Sequence, residues 1–213
     1  MHRVTILAVL SLALAGCSDN VSSTVITGTS VITYRDPAAD FGAYRTYAIT
    51  NKLAVYQEVS GLPVYTFVPA PAIFAAINAN MAARGYVMVE PAIDPENPPL
   101  VPPDADLALN PVVLQVARAA AYPCDWWSWW SYPNYGCNSP WTWVPYTVGT
   151  LLVPLADLRN PSPPGGDAAF DVIWAGASYA VLPPGGSVTG LTAVESVNQA
   201  FAQSPYLVTG GAP

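Results

Sequence analysis

Histidine is nearly absent from this sequence, and its absence excludes several classes of enzyme. His2 is the only histidine among the 213 residues, and it stands in a segment that we expect to be removed. A serine–histidine–aspartate triad or a cysteine–histidine pair would therefore lack its base. Metal sites with imidazole ligands are excluded for the same reason. No glycine-rich phosphate loop and no G-x-S-x-G turn occurs, so we expect neither a metal nor a cofactor.

Basic residues are also scarce. Seven lysines and arginines stand against fourteen aspartates and glutamates, the formal net charge is −7, and Lys52 is the only lysine. Nucleic-acid binding needs clustered cations that contact phosphates, and this sequence has no such cluster. We therefore expect no nucleic-acid partner, and no electrostatic attraction to anionic lipid.

Charged residues of all kinds make up only 10% of the chain, whereas 52% of the residues are hydrophobic. This composition excludes a disordered chain. The length is that of one ordinary domain with a substantial core. The 23 prolines and 15 glycines indicate many loops and a β-rich structure rather than a helical bundle.

The N-terminus has the pattern of a lipoprotein signal. Arg3 precedes an uncharged apolar run, and the small residues Ala15 and Gly16 lead to Cys17. The run is shorter than the roughly 20 residues that span a bilayer, and it is typical of a signal peptide. We interpret residues 1–16 as the signal peptide, Cys17 as the lipidation site and residues 17–23 as a lipidated tether. An ordinary secretory signal followed by a chance cysteine is the alternative.

Lipidation of Cys17 would place the domain in the bacterial envelope. A single acyl chain anchors only marginally, at about 0.8 kcal/mol per buried CH₂, whereas three chains such as palmitate would hold the protein permanently. Ser18, not aspartate, follows the cysteine. In a bacterium with two membranes, we therefore expect the periplasmic side of the outer membrane.

Apolar periodicity predicts the element order β-β-α-β-β-β-β-α. We expect an α+β fold in which a mostly antiparallel or mixed sheet of about five to six strands carries two amphipathic helices on one face. Residues 24–206 would form this single domain, and residues 207–213 a tail. Residues 51–69 are predicted as a long loop or irregular hairpin. The predicted strands are 24–34, 40–49, 86–90, 106–119 (with a bulge at Pro111), 146–155 and 169–181, and the predicted helices are 71–84 and 191–203.

Two cysteines remain if Cys17 carries lipid. In an oxidising compartment, Cys124 and Cys137 are expected to form a disulfide. Closing a loop of this size is worth roughly 3 kcal/mol in the chain-entropy model. A zinc site is the alternative, but two cysteines without histidine are too few ligands.

The stretch 122–143 holds six of the seven tryptophans. We predict a disulfide-stapled aromatic loop between two antiparallel strands. Tryptophan faces stack on sugar rings and on exposed apolar surfaces, and tryptophan favours membrane interfaces. A satellite core at one end of the sheet is the alternative, and insertion into the bilayer is made less attractive by Asp125. The candidate ligand-binding residues are Trp126, Trp127, Trp129, Trp130, Tyr132, Tyr135, Trp141 and Trp143.

The acidic residues offer weaker candidates. Asp104 and Asp106 share one face at the start of a predicted strand, and a glycosidase needs two carboxylates about 5 to 9 Å apart. A solvated strand end is the more common reason for such a pair. The turn 94–97 offers oxygens that calcium could use, but it matches no calcium-loop template, and a solvated acidic turn is favoured.

Five short segments follow one another in a recognisable order and spacing. They are Asp40-Phe41-x-x-Tyr44-x-Thr46-Tyr47, Gly85-Tyr86, Asp104-Ala105-Asp106-Leu107, Tyr146-x-x-Gly149-Thr150-Leu151 and Trp174-x-Gly176. Together they resemble a widespread family of bacterial lipoproteins classified only as a domain of unknown function. The likeness covers about residues 24–206 and implies a lipid-anchored α+β periplasmic domain without an assigned activity. The chain departs from the family at Pro154, where an acidic residue is usual, and at Ala175, where arginine is frequent, so no role is carried over to these positions.

The leading hypothesis is a non-enzymatic outer-membrane lipoprotein whose loop 122–143 holds an envelope protein or glycan. The alternative is a carboxylate-dependent hydrolase of cell-wall glycan that acts through Asp104 and Asp106. A third reading is a purely structural lipoprotein without a ligand.

Overall fold

The structure is a computed structural model. It describes residues 21–26, 29–60, 62–97, 104–115, 118–120, 135–138, 144–146, 149–162, 168–179 and 191–210. The predicted lipidation site Cys17 and most of the tryptophan-rich stretch lie outside these residues.

Two α-helices form where apolar periodicity predicts them. Helix α1 spans Pro71–Ala83 and α2 spans Leu191–Ala202. Pro71 occupies the first turn of α1, where its missing N–H has no intrahelical partner to lose. Gly85 follows the helix with φ +88°, the left-handed conformation in which glycine commonly ends a helix. No helix in the described part of the chain has the length and apolar character needed to cross a membrane.

The described strands form one large mixed sheet of eleven strands and one separate antiparallel pair, β9 with β11. In chain order they are β1 Val21–Ile26, β2 Thr29–Arg35, β3 Thr46–Ile49, β4 Leu53–Val59, β5 Leu62–Val68, β6 Val87–Met88, β7 Leu107–Leu109, β8 Val112–Leu114, β9 Arg118–Ala120, β10 Tyr135–Asn138, β11 Val144–Tyr146, β12 Thr150–Ser162 and β13 Ala168–Ser178.

Strand β12 is the central strand of the sheet. It pairs antiparallel with β13 on one side, and on the other side with β8 through its first residues and with β7 farther along. Strands β7 and β8 thus occupy the same position in the sheet, next to β12. They are separated at Pro111, where the sequence predicts a bulge. Strands β3 and β4 occupy the next position in the sheet, because β3 pairs in parallel with β7 and β4 pairs in parallel with β8.

The α+β class is confirmed, but the predicted number of strands is wrong because the sheet has more than five to six. The predicted strand 24–34 is a pair, β1 and β2. Residues 51–69 contain a regular antiparallel hairpin, in which Leu53 pairs with Val68 and Val59 with Leu62. Pro63 suggested a loop, yet among the described strands β5 pairs only with β4, so the missing N–H of Pro63 falls on an edge strand.

Both helices contribute to one of two apolar clusters on the sheet. The cluster on the helix side includes Ile77 of α1, Phe201 of α2 and Leu155 of β12. The neighbouring residue Ala156 belongs to the second cluster, as the alternation of side chains along a strand requires. The sheet is therefore buried on both faces along its central strands.

The Trp174-x-Gly176 segment fixes α2 on the sheet. The fully buried Trp174 indole donates from Nε1 to Ser204 Oγ at 2.9 Å, and its ring lies 5.1 Å from that of Phe201. A Cβ added at Gly176 would stand 2.8 Å from the Cβ of Ala200. Glycine is required at this position because the helix approaches the strand so closely.

We predict that Gly176→Ala destabilises the domain by about 1–3 kcal/mol, because the added methyl group overpacks the α2–β13 contact. Denaturant unfolding measures this change. The double variant with Ala200→Gly should recover part of the loss, although glycine inside a helix costs about 1 kcal/mol. If the free-energy losses of Gly176→Ala and Ala200→Gly simply added in the double variant, the close approach of residues 176 and 200 would be contradicted.

Candidate functional site

A short 3₁₀ turn, Phe41–Ala43, lies at the centre of the candidate site and joins β2 to β3. Asp40 caps the turn, because its Oδ1 accepts a hydrogen bond from the backbone N–H of Gly42 at 3.1 Å. The buried Tyr86 hydroxyl donates to the Phe41 carbonyl oxygen at 3.1 Å. Burial raises the pKa of Tyr86 to about 12, so the phenol stays neutral and remains a donor. A residue of the segment Gly85-Tyr86 thus fixes the turn that begins the segment 40–47.

A buried polar cluster lies on one side of this turn. The Tyr44 hydroxyl donates to Asp157 Oδ2 at 2.9 Å, and the Arg159 backbone N–H donates to Asp157 Oδ1 at 2.8 Å. The Arg159 guanidinium lies 3.9 Å from the centre of the Tyr44 ring and donates to the Ala43 carbonyl oxygen at 3.1 Å. Burial, followed by the hydrogen bond to Asp157, raises the pKa of Tyr44 well above its ordinary value. Tyr44 is therefore a neutral hydrogen-bond donor.

Asp106 locks the start of β3 to the start of β7. Its Oδ2 accepts from the backbone N–H groups of Arg45 at 2.6 Å and Thr46 at 3.0 Å, and its own N–H donates to Thr46 Oγ1 at 3.0 Å. Burial acts to raise the pKa of Asp106, but the two backbone hydrogen bonds and the Arg159 charge outweigh it and hold this pKa below its ordinary value. The carboxylate serves as a fixed acceptor.

The two predicted catalytic carboxylates are placed very differently. Asp104 is exposed on the approach to β7, whereas Asp106 is partly buried and bonded to backbone amides. A general acid in glycoside hydrolysis needs a raised pKa, and the pKa of Asp106 is lowered. The geometry at this strand start is that of a structural lock.

The acidic turn 94–97 holds the single lysine. Lys52 Nζ lies 2.9 Å from Asp94 Oδ1 and also pairs with Glu96. The hydrogen bonds that Lys52 donates to Glu96 and Asp94 raise the pKa of Lys52, and the bond to Asp94 lowers the pKa of that carboxyl group. No group of three or more metal-ligating residues occurs in the described ranges.

The tryptophan-rich stretch is described at its base and at one internal strand. Strand β9 pairs antiparallel with β11 on either side of it, as Ala120 opposite Val144 shows. Strand β10, which contains Tyr135 and Cys137, runs parallel to β13. The predicted Cys124–Cys137 disulfide lies outside the described residues because Cys124 does. The same holds for Trp126, Trp127, Trp129, Trp130, Tyr132, Trp141 and Trp143.

An open cavity of about 250 Å³ lies on the other side of the Phe41–Ala43 turn. The guanidinium of Arg35, at the end of β2, lies 4.7 Å from the centre of the Tyr206 ring. The Tyr206 ring in turn lies 5.5 Å from that of Phe41. The lining residues are Arg35, Asp36, Pro37, Ala39, Asp40, Phe41, Gly42, Pro205, Tyr206 and Val208.

Sequence reasoning missed Asp157, Arg159 and Arg35. The predicted strand ended at Leu155, although the alternation of apolar and polar residues from 156 to 159 signals a longer strand. The first predicted strand stopped at residue 34, but Arg35 ends β2 and pairs with Trp174 of β13. The contact between Arg35 and Tyr206 joins residues far apart in the chain, and no local pattern shows it.

Comparison with known proteins identifies a family but no activity. A family model described as a domain of unknown function (DUF4136) matches residues 31–206. A crystal structure of a DUF4136 family protein from Bacteroides thetaiotaomicron has 22% sequence identity and a TM-score of 0.61, covering 90% of this chain and 99% of that one. The PelC dodecamer from Paraburkholderia phytofirmans has 16% identity and a TM-score of 0.39, covering 84% and 98%. No curated protein matches the chain.

The structural role of Asp106 predicts a particular pH dependence. Its folded pKa lies below its unfolded value of about 3.9, so the unfolded state takes up the proton first as the pH falls. The stabilisation is complete at neutral pH and is lost as the pH falls below about 4. We expect Asp106→Asn to cost about 1 kcal/mol at pH 7, the lower end for a charged acceptor because the carboxylate is part-exposed.

Urea unfolding at pH 7 and pH 3 measures this effect. The difference in stability between the two pH values should be smaller in Asp106→Asn than in the wild type. Asp104→Asn is the matched control, and it should behave as the wild type because Asp104 is exposed. If stability depended on pH in Asp106→Asn as it does in the wild type, Asp106 would not hold β3 to β7 through its carboxylate.

Proposed function

This chain belongs to the DUF4136 family of domains of unknown function, and we propose that it is a membrane-anchored, non-enzymatic envelope lipoprotein. The signal-like residues 1–16 followed by Cys17 support the membrane anchor. It holds an envelope protein or glycan through the tryptophan-rich loop 122–143. The observation that carries the proposal is the base of this loop. Its flanking strands β9 and β11 pair with each other, and β10 within it aligns with β13 of the main sheet.

A loop closed at its base and tied to a sheet is a common support for a binding surface. Recognition residues are often carried on loops that a rigid scaffold positions. Strand β13 supplies that scaffold, because it pairs with β2, β10 and β12. Six tryptophans on such a support can stack on sugar rings or on the apolar surface of a partner. The proposed Cys124–Cys137 disulfide would restrict the loop further.

The carboxylates of the candidate site support binding rather than catalysis. Asp106 accepts from two backbone amides, and Asp157 accepts from the Tyr44 hydroxyl and the Arg159 amide. A catalytic pair would need one carboxyl group kept protonated beside one kept ionised. The lowered pKa of Asp106 does not favour the hydrolase alternative.

The tether in this proposal is short. Strand β1 begins at Val21, so residues 18–20 alone separate it from the lipidated Cys17. A fully extended chain spans at most about 3.6 Å per residue, which sets the start of the domain within roughly 14 Å of the membrane.

We predict that acrylamide quenches most of the tryptophan fluorescence of a secreted Cys17→Ser chain, which cannot be lipidated. Trp174 is fully buried and supplies an internal protected reference. Peptidoglycan fragments or an envelope extract should relieve the quenching if the rings form a binding surface. Lipid vesicles test membrane insertion separately.

A matched comparison uses alanine in place of Trp126 and Trp127. Loss of the relief at an unchanged melting temperature supports a binding surface. Weak quenching of the wild type, with variants that only lower the melting temperature, would mean that the rings form a satellite core.

A further inference from the structure

The cavity beside the Phe41–Ala43 turn has a lining that combines opposite charges with an apolar wall. We propose that it binds a small zwitterion, namely an amino acid with an apolar side chain and free ammonium and carboxylate groups. In the part of the chain that the structure describes, its lining residues come from 35–42 and 205–208, outside loop 122–143. This inference is therefore separate from the proposed function, and either can fail alone.

Arg35 supplies the group that binds the carboxylate. Its Nε is buried without a hydrogen-bond partner, and its guanidinium stacks on Tyr206. Within the described part of the chain, Arg35 forms no ion pair with the adjacent Asp36 or with Asp40. A guanidinium fixed by an aromatic ring, with its N–H groups not used by a protein carboxylate, suits two parallel hydrogen bonds to a ligand carboxylate.

Asp36 and Asp40 supply acceptors for the ammonium group. Asp36 Oδ1 accepts from the Ala38 amide at 2.8 Å, and Asp40 Oδ1 from the Gly42 amide at 3.1 Å. These bonds hold each carboxylate in place and leave Oδ2 without a partner among the described residues. Two carboxylates beside one guanidinium make the lining negative overall, which disfavours phosphate and favours a ligand that carries a positive charge as well.

The remaining walls accept an apolar side chain. Phe41 and Tyr206 stand next to each other, and Pro37, Pro205 and Val208 complete the lining. The volume of about 250 Å³ is below the range of about 300–1,000 Å³ that is usual for drug-sized ligands. One amino acid of the size of leucine matches this space better than a peptide or a sugar chain.

NMR titration of the full chain in detergent with leucine tests the proposal. We expect saturable shifts of the Gly42 and Val208 amide signals with a Kd of roughly 1 mM or lower. Leucine amide lacks the carboxylate and N-acetyl-leucine lacks the ammonium group, so each should bind at least about tenfold more weakly. These analogues test both contacts without altering the protein.

Variants test the same contacts from the protein side. Arg35→Gln should abolish leucine binding and Asp40→Asn should weaken it, whereas Lys52→Gln and Asp104→Asn are charge-matched controls that should bind as the wild type does. Unchanged β13 signals would show that the variants fold. A digest of peptidoglycan, whose branched peptides carry the same zwitterionic group, distinguishes a wall peptide from free amino acid as the source.

Three results would overturn the inference. The first is the absence of saturable shifts with both leucine and the digest. The second is equal binding of leucine and leucine amide, or unchanged binding in Arg35→Gln. The third is inorganic phosphate saturating the same signals more tightly than leucine, because the negative lining disfavours a dianion.

Discussion

The reciprocal hydrogen bonds between Asp106 and the start of β3 are the constraint on which the rest of the site depends. They set β3 beside β7 in parallel, and that pairing has no connecting hairpin to define its register. Once β3 is fixed, the Phe41–Ala43 turn before it is held where it lines the cavity and contacts Arg159 of the polar cluster. The family-like segment 40–47 is therefore a structural junction from which both parts of the site are built.

The polar cluster beside this junction makes the arrangement specific. A buried carboxylate is costly unless its oxygens are bonded, and Asp157, which is 5% exposed, is bonded by Tyr44 and by the Arg159 amide. A shift in the register of β12 would separate Asp157 from the Tyr44 hydroxyl. Arg159 also donates to the Ala43 carbonyl oxygen, and this bond joins β12 to the Phe41–Ala43 turn.

Local signals in the sequence predicted the local structure well. Apolar periodicity predicted the helix at 71–84, which is α1, and the bulge expected at Pro111 corresponds to the break between β7 and β8. Features that depend on distant pairing were missed. The hairpin β4–β5 was obscured by prolines that an edge strand tolerates, and the partners of Arg35 and Asp157 come from other parts of the chain.

Only part of the candidate site could be predicted, again because its contacts join residues that are distant in the chain. Asp106 was found because it opens an apolar strand, but its chemistry could not be inferred, since a carboxylate that accepts from backbone amides and a catalytic carboxylate look alike in sequence. The three-dimensional contacts decide between them. The amides of Arg45 and Thr46 identify Asp106 as a lock, and the stacking of Arg35 on Tyr206 directs attention to the cavity.

Amide hydrogen exchange by NMR tests the central role of Asp106 most directly. If Asp106 holds the start of β3, the Arg45 and Thr46 amides exchange as slowly as those in the core strands β7 and β12, because they open only when the sheet opens. Exchange of these two amides at nearly unprotected rates, while β7 and β12 stay protected, would contradict the account.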